Sequence, residues 1–269
     1  MRIGYQGEAH SYSHQAVGEL FPDDDAIGLP TFAGAFASLA GGAVDRLVMP
    51  IENSTTGSVL SVLDRLIEAS AAIIGEHRVE VRHALVGVPG TALSDIKRVR
   101  SHPEALAQAE SMLTANAWAP VPAHDTAGAV REIAALGDPA EAALAPPGAA
   151  RSHGLVVLMN DVVDREHNTT RFVVLAPGDP VVAEDADKSS VAFQTQHRPG
   201  ALALALTELG LRGANLTRIE SRPGDLAWSY RFFVDLMHPP GPEGLRAVFE
   251  PPLATVADFH HLGSYRAAR

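Results

Sequence analysis

Five consecutive residues, Asn168-Thr169-Thr170-Arg171-Phe172, bring a carboxamide, two hydroxyls, a permanent cation and an aromatic ring to the start of an apolar run, Phe172-Val173-Val174-Leu175. A strand built on that run holds Thr170 and Arg171 at its entry edge, beside a cleft rather than inside a core. A second polar cluster, Glu52-Asn53-Ser54-Thr55-Thr56-Gly57-Ser58, follows another apolar run, Leu47-Val48-Met49. Together they offer hydroxyls, amides and a guanidinium to a small anionic molecule, a chemistry that needs neither metal nor cofactor.

Composition narrows the choice of partner. The chain has 269 residues and a formal net charge of −11, which argues against nucleic acid. An anionic substrate must then be held by local positive charge, from Arg171 or from a helix N-terminus. There is no cysteine, so thiolate chemistry and disulfides are excluded. Lysine occurs only as Lys97 and Lys188, both in polar, loop-like settings, which argues against a Schiff base. Neither GxGxxG after a strand nor GxxxxGK[ST] is present, so nucleotide chemistry has no handle. His10 and His14 are four apart but lack the carboxylates of a metal triad. Asp23-Asp24-Asp25 reads as a solvated turn, since the spacing of a calcium loop is missing. No apolar stretch reaches the ~18 residues of a membrane span, and no charged-then-apolar leader opens the sequence. The expectation is a soluble cytoplasmic protein with no membrane partner.

These groups must be positioned by an α/β framework. Phe32, Phe36 and Leu39 share a helical face, and Val59, Leu60, Val62, Leu63, Leu66 and Ile67 recur at helical spacing. Leu47-Val48-Met49, Ala72-Ile73-Ile74 and Val79-Glu80-Val81 read as strands, and Glu104 to Leu113 as a helix. This alternation predicts mainly parallel sheets with a ligand crevice at the strand ends. Near 179–188, Pro180 and Glu184-Asp185-Ala186-Asp187 read as a linker. Beyond it the order is β-α-β-β-α-β. A strand from Val191 to Thr195 leads into a helix from Pro199, followed by strands around Leu216 to Glu220 and Trp228 to Leu236. A short helix, Glu243 to Phe249, is stopped by Pro251-Pro252, and a last strand closes the chain.

In sequence order the motifs are Tyr5-Gln6-Gly7-Glu8 with Tyr12-Ser13, Met49-Pro50-Ile51-Glu52-Asn53-Ser54 with Gly57-Ser58-Val59, and Ser101-His102-Pro103 with Ala105-Leu106-Ala107-Gln108. Asp125-Thr126-Ala127-Gly128-Ala129 and Thr170-Arg171-Phe172 come next. The tail adds Pro199-Gly200-Ala201-Leu202, Asn215-Leu216-Thr217, Glu220-Ser221-Arg222-Pro223 and Leu262-Gly263-Ser264-Tyr265. Together, over nearly the whole chain, they resemble the prephenate dehydratase family, a catalytic domain followed by an ACT domain. Three residues depart from the family pattern: His10 for a usual glycine, Glu104 for a glutamine and Thr169 for a tyrosine.

The resemblance implies a catalytic domain over 1–178, two-lobed like periplasmic binding proteins. Lobe one takes about 1–76 with 160–178, and lobe two 77–159. A linker over 179–188 then leads to a ferredoxin-like ACT domain over 189–269. The implied reaction turns prephenate into phenylpyruvate, water and carbon dioxide without a cofactor. Aromatisation drives it, and the protein orients the substrate and helps the hydroxyl depart. Catalytic roles fall to Thr170 as hydrogen-bond donor or relay, Glu52 as a nearby acid and Asn53 as a neutral donor. Ser101, Gln108, Arg171, Phe172 and Ser54 are the implied substrate contacts. Other readings stay open for four of them. Arg171 either forks onto a substrate carboxylate or ties the hinge by an internal salt bridge. Phe172 is a site wall or core, and Ser54 and Ser101 are contacts or helix caps. In the tail the resemblance implies phenylalanine as feedback effector, bound by Gly200, Ala201, Leu202, Asn215, Leu216, Glu220, Ser221, Arg222 and Pro223 in a homodimer or tetramer. The alternatives are an arogenate dehydratase, or a ligand-binding or sensory protein that has lost catalysis.

Overall fold

A computed structural model describes residues 1–162, 164, 168–224 and 228–268. Its strands fall into three sheets. The first contains β1 (Arg2–Gln6), β2 (Asp25–Leu29), β3 (Arg46–Asn53), β4 (Gly57–Ser58), β5 (Ala71–Glu80) and β11 (Thr169–Pro177), in the order β2-β1-β3-β11-β5 with β4 beside β3. The second contains β6 (Ala84–Gly87), β7 (Arg98–Ser101), β8 (Ala119–Pro122), β9 (Glu141–Ala145) and β10 (Val156–Met159), ordered β10-β6-β9-β7-β8. The third contains β12 (Lys188–Thr195), β13 (Asn215–Pro223), β14 (Tyr230–Met237) and β15 (Val256–Tyr265), ordered β13-β14-β12-β15 and antiparallel throughout.

The helices are α1 (Tyr12–Leu20), α2 (Phe32–Ala40), α3 (Leu60–Glu68), α4 (Pro103–Ala107), α5 (Glu110–Ala115), α6 (Thr126–Leu136), α7 (Ala149–Ser152), α8 (Ala201–Leu211) and α9 (Gly241–Phe249). Their starts are chemically marked. Ser11 accepts the His14 N–H, Thr31 the Gly34 N–H and Asp125 the Gly128 N–H, each satisfying a donor the helix leaves unpaired. The segment expected as one helix from Glu104 to Leu113 is two, because the chain leaves helical geometry at Ala109 (φ −122°, ψ 17°).

The expectation of mainly parallel sheets is corrected. Pairs β1-β2, β1-β3, β7-β8 and β7-β9 are parallel, but β11 runs antiparallel to both β3 and β5, and β6 antiparallel to β9 and β10. The cause is the topology: the chain leaves the first sheet along β5, builds the second, and returns along β11 in the opposite sense. The sheets also move the expected boundaries. β5 stays in the first sheet to Glu80, so the outward crossing lies at residues 81–83, beyond the anticipated boundary at 76. Of the return, residues 163 and 165–167 lie outside the described residues. Lys188, assigned to a loop-like linker, is instead the buried first residue of β12, with its ammonium 2.8 Å from Glu76 Oε2.

Burial follows the apolar pattern. Leu47, Val48 and Met49 are fully inaccessible because β3 is central and covered on both faces. Met49 and Leu47 pack with α2 and α3 on one face, and Val48 with Ala16 and Val17 of α1 on the other. The third sheet buries Val191, Phe193, Val234 and Leu236 beneath α8 and α9. Its opposite face, through Ala192, Phe233, Leu262 and Tyr265, joins the core of the first lobe. The approach is closest at Gly263, where an added Cβ would lie 2.0 Å from the Ile73 carbonyl oxygen; only glycine fits there.

Candidate active site

Two chain crossings form the floor of the interlobe cleft. They lie side by side, with the Val81 N–H donating to the Asn168 carbonyl at 2.7 Å. The cavity above them has a volume of about 580 Å³ and takes Asn53, Thr56 and Thr170 from lobe one and His102, Gln108 and Asp125 from lobe two. Cross-lobe contacts hold the mouth: Arg131 on α6 pairs with Glu8, and Gln108 Nε2 donates to Thr55 Oγ1 at 3.2 Å.

A continuous polar network runs along the floor. Tyr12 donates to the Arg82 carbonyl at 2.7 Å and lies 3.0 Å from His83 Nδ1. His83 Nε2 lies 3.2 Å from Gln108 Oε1, which also accepts from Asn168 Nδ2 at 2.7 Å. Asn53 Nδ2 donates to Asn168 Oδ1 at 2.7 Å and to Thr170 Oγ1 at 3.0 Å. Asn53 Oδ1 accepts from the Thr55 hydroxyl at 2.6 Å and from the Thr55 and Thr56 backbone N–H groups. With these amide orientations the neutral imidazole carries its proton on Nε2, donating to Gln108, and its bare Nδ1 shares the single Tyr12 hydroxyl proton with the Arg82 carbonyl. Burial pushes the His83 pKa down to about 4, against a small upward pull from Gln108, so the ring is neutral at pH 7. Burial likewise raises Tyr12 well above the ordinary phenol value.

This arrangement has a chemical consequence at Thr170. Both amide hydrogens of Asn53 are used, and one of them occupies a lone pair of Thr170 Oγ1. The Thr170 hydroxyl proton has no acceptor among the described residues, so it is free to point into the cavity. Among the described residues no lysine or arginine lines that cavity. Positive potential comes instead from the N-terminal turns of α4 and α6, where His102 and Thr126 stand.

Thr170, Asn53 and Gln108 therefore meet as anticipated, whereas five other candidates do not reach the cavity. β-strand alternation turns Arg171 to the opposite face of β11 from Thr170. There its guanidinium meets Glu52 at 3.1 Å, Glu76 at 3.0 Å and Asp235 at 2.5 Å. The internal salt bridge is the reading that applies, and Glu52, its partner, faces away from Thr170. Burial opposes the Arg171 charge, but Asp235, Tyr265, Glu76 and Glu52 together outweigh it and raise its pKa. Phe172 is 1% exposed, packed in the core with Ile3 and Tyr5. Ser54 is no helix cap, because α3 starts at Leu60 after β4 intervenes; its hydroxyl accepts the Thr169 N–H at 3.0 Å. Ser101 is fully buried and donates to the Leu144 carbonyl at 2.7 Å, while His102 occupies the cap. The missing members, Tyr12, His83, Thr55 and Asn168, come from separate segments. The motif containing Tyr12, the polar cluster containing Thr55 and the run containing Asn168 signalled three of them; nothing signalled His83.

In the third sheet Gly200 adopts left-handed geometry (φ 78°) just before α8, which a residue with a Cβ would resist. Glu220, Ser221, Arg222 and Pro223 end β13 at the same end of the sheet, since Arg222 and Gln194 both pair with Arg231. Asn215 and Leu216 lie at the other end of β13, so within one chain the effector candidates do not form one pocket. Arg222 is engaged by Asp64 of α3 through two bonds of 2.9 and 2.7 Å.

A family model described as prephenate dehydratase matches residues 3–180. The chain belongs to the prephenate dehydratase family. It is 38% identical over 248 residues to a prephenate dehydratase of Mycolicibacterium vanbaalenii, covering 89% of this chain and 78% of that one. It is 40% identical over 225 residues to arogenate dehydratase 2 of Petunia hybrida, covering 83% of this chain but only 57% of the plant protein's length. Among solved structures, a prephenate dehydratase from Arthrobacter aurescens in complex with L-Phe superposes with a TM-score of 0.85 at 30% identity, covering all of this chain and 90% of that one. Among the described residues no helix is long and apolar enough to cross a membrane.

Proposed function

We propose that this chain converts prephenate to phenylpyruvate, water and carbon dioxide in the interlobe cavity. The observation that carries the reading is the Thr170 hydroxyl, fixed by Asn53 and left with its proton free. In the reaction the bond from the ring to its carboxylate breaks and its electron pair moves into the ring as the bond to the para hydroxyl breaks; the ring becomes aromatic, and the departing oxygen takes one proton to leave as water. Thr170 donates a hydrogen bond to that oxygen, while the proton consumed comes from solvent. Asn53 positions Thr170, and His83 with Gln108 and Asn168 holds Asn53. The keto acid and carboxylate groups meet the helix N-terminal turns at His102 and Thr126. A preorganised donor of this kind contributes roughly 10²–10³ in turnover, and orientation of the substrate supplies much of the rest. Formation of the aromatic keto acid, followed by ultraviolet absorbance, tests the reading. Its absence with pure protein and prephenate would contradict it.

Arogenate is the second reading, favoured by Glu104 and Asp125, two cavity-wall carboxylates able to face an ammonium group. The same assay with both substrates side by side decides between them.

We further infer that residues 189–268 form an ACT domain whose effector is phenylalanine. Sheet order β13-β14-β12-β15 with α8 and α9 on one face supports the ferredoxin-like assignment. Among the described residues nothing pairs with the outer edge of β13. Antiparallel pairing of two copies along that edge would bring Asn215 and Leu216 of one beside the Glu220–Pro223 end of the other. A homodimer, or a tetramer of dimers, thereby unites the divided candidates. Phenylalanine added during turnover should lower the rate, and an unchanged rate at saturating amino acid would remove the regulatory role.

A further inference from the structure

Behind β3 and β11, between lobe one and the C-terminal domain, lies a second cavity of about 350 Å³. It abuts the reverse side of the two strands that carry Asn53 and Thr170. Four cations line it, Arg78, Arg171, Lys188 and Arg218, against one lining carboxylate, Glu52. Two buried carboxylates behind the wall, Glu76 and Asp235, engage three of these cations. Among the described residues, four cations facing three carboxylates leave one positive charge. Arg78 is exposed and has no counter-ion among the described residues.

Arg218 gives a second, independent reason. Its side chain is only 6% exposed, yet its contacts are long: 3.5 Å to Asp235, and 3.2 and 3.4 Å to Ser58 Oγ. A nearly buried guanidinium normally takes short charge-assisted bonds at 2.7–2.9 Å, since its desolvation is otherwise uncompensated. A purely structural ion network closes on itself, as Arg171 does with Glu76 and Asp235. Here an open volume remains beside one unpaired and one loosely held guanidinium, with Thr169 and Thr217 also on the wall.

We propose that this cavity is a binding site for a small oxyanion, a phosphate or a carboxylate, with Arg78 and Arg218 as its charged contacts. The inference goes beyond the proposed reaction, because the site shares no lining residue with the interlobe cavity and needs no turnover. Planar guanidinium forks match both oxyanion types. The volume falls within the range that holds small ligands.

Isothermal titration of the full chain with inorganic phosphate, and separately with malonate, at constant ionic strength tests the site without substrate. The expected result is saturable binding of at least one anion, weakened roughly tenfold or more in Arg78→Gln and in Arg218→Gln. His102→Ala, in the interlobe cavity, should leave that binding unchanged. The anion that binds more tightly identifies the class. Arg78 is exposed on β5, so Arg78→Gln is expected to fold and decides the matter even if Arg218→Gln does not. Absence of saturable binding of either anion, binding indifferent to Arg78→Gln, or binding lost in His102→Ala would each overturn the proposal.

Discussion

Thr170 and Arg171 are neighbours on one strand and face two different kinds of cavity. On the Thr170 side every protein group in the floor network is neutral: amides, hydroxyls, a phenol and an imidazole kept uncharged by burial. On the Arg171 side the groups are charged, and three carboxylates hold the guanidinium. The difference separates work from support. Neutral donors can strengthen their bonds as charge develops on a departing oxygen, without first releasing a counter-ion. A guanidinium held by three carboxylates has little left for a substrate, and it joins β11 to the third sheet through Asp235.

The sharpest way to break this comparison is Arg171→Met. If Arg171 is structural, three carboxylates lose a shared partner, and unfolding in urea should show a loss of about 3–5 kcal/mol. The folded fraction should keep a near-normal KM. A normal urea midpoint with a large rise in KM would move Arg171 to the substrate.

On the neutral side, His83 gives a pH signature. Its folded pKa of about 4 lies below the ordinary 6.5, so the unfolded chain binds the proton more readily. The stability contributed is therefore complete above pH 6.5 and lost as the pH falls towards 4. Over that window the loss should approach about 3 kcal/mol, and His83→Gln should remove this component of the slope. Equal slopes for the two proteins, in urea unfolding at pH 7 and pH 4.5, would mean that His83 titrates normally.

The smallest effect concerns a departure from the family pattern. His10 has φ 67°, the left-handed region where glycine carries no Cβ penalty. His10→Gly should raise stability by about 1 kcal/mol, less whatever is lost with the His10–His14 ring contact. Unchanged or lower stability would show that this ring contact outweighs the strain.

Much of the framework was legible. The β-α-β-β-α-β order of the tail follows from alternating and helical apolar spacing, and the Thr170–Asn53 meeting from two polar clusters placed at strand ends. Other features needed the third dimension. Period-two alternation alone forbids Thr170 and Arg171 from facing the same cleft, a constraint that motif resemblance obscures. Ser101 and His102 differ by one position, yet one closes a buried strand and the other opens a helix at the cavity. His83 stands alone in the sequence between Arg82 and an apolar strand. It becomes part of the site only because two crossings bring it beside Tyr12 and Gln108, at separations of 71 and 25 residues.

The central claim is that the Thr170 hydroxyl, its proton left free by Asn53, donates a hydrogen bond to the departing oxygen. Single-turnover rates with prephenate for Thr170→Val and Thr170→Ser test it most directly. The account predicts that the valine variant folds normally and loses roughly 10²–10³ in rate, while serine restores most of it. A valine variant that turns over at the wild-type rate would contradict it.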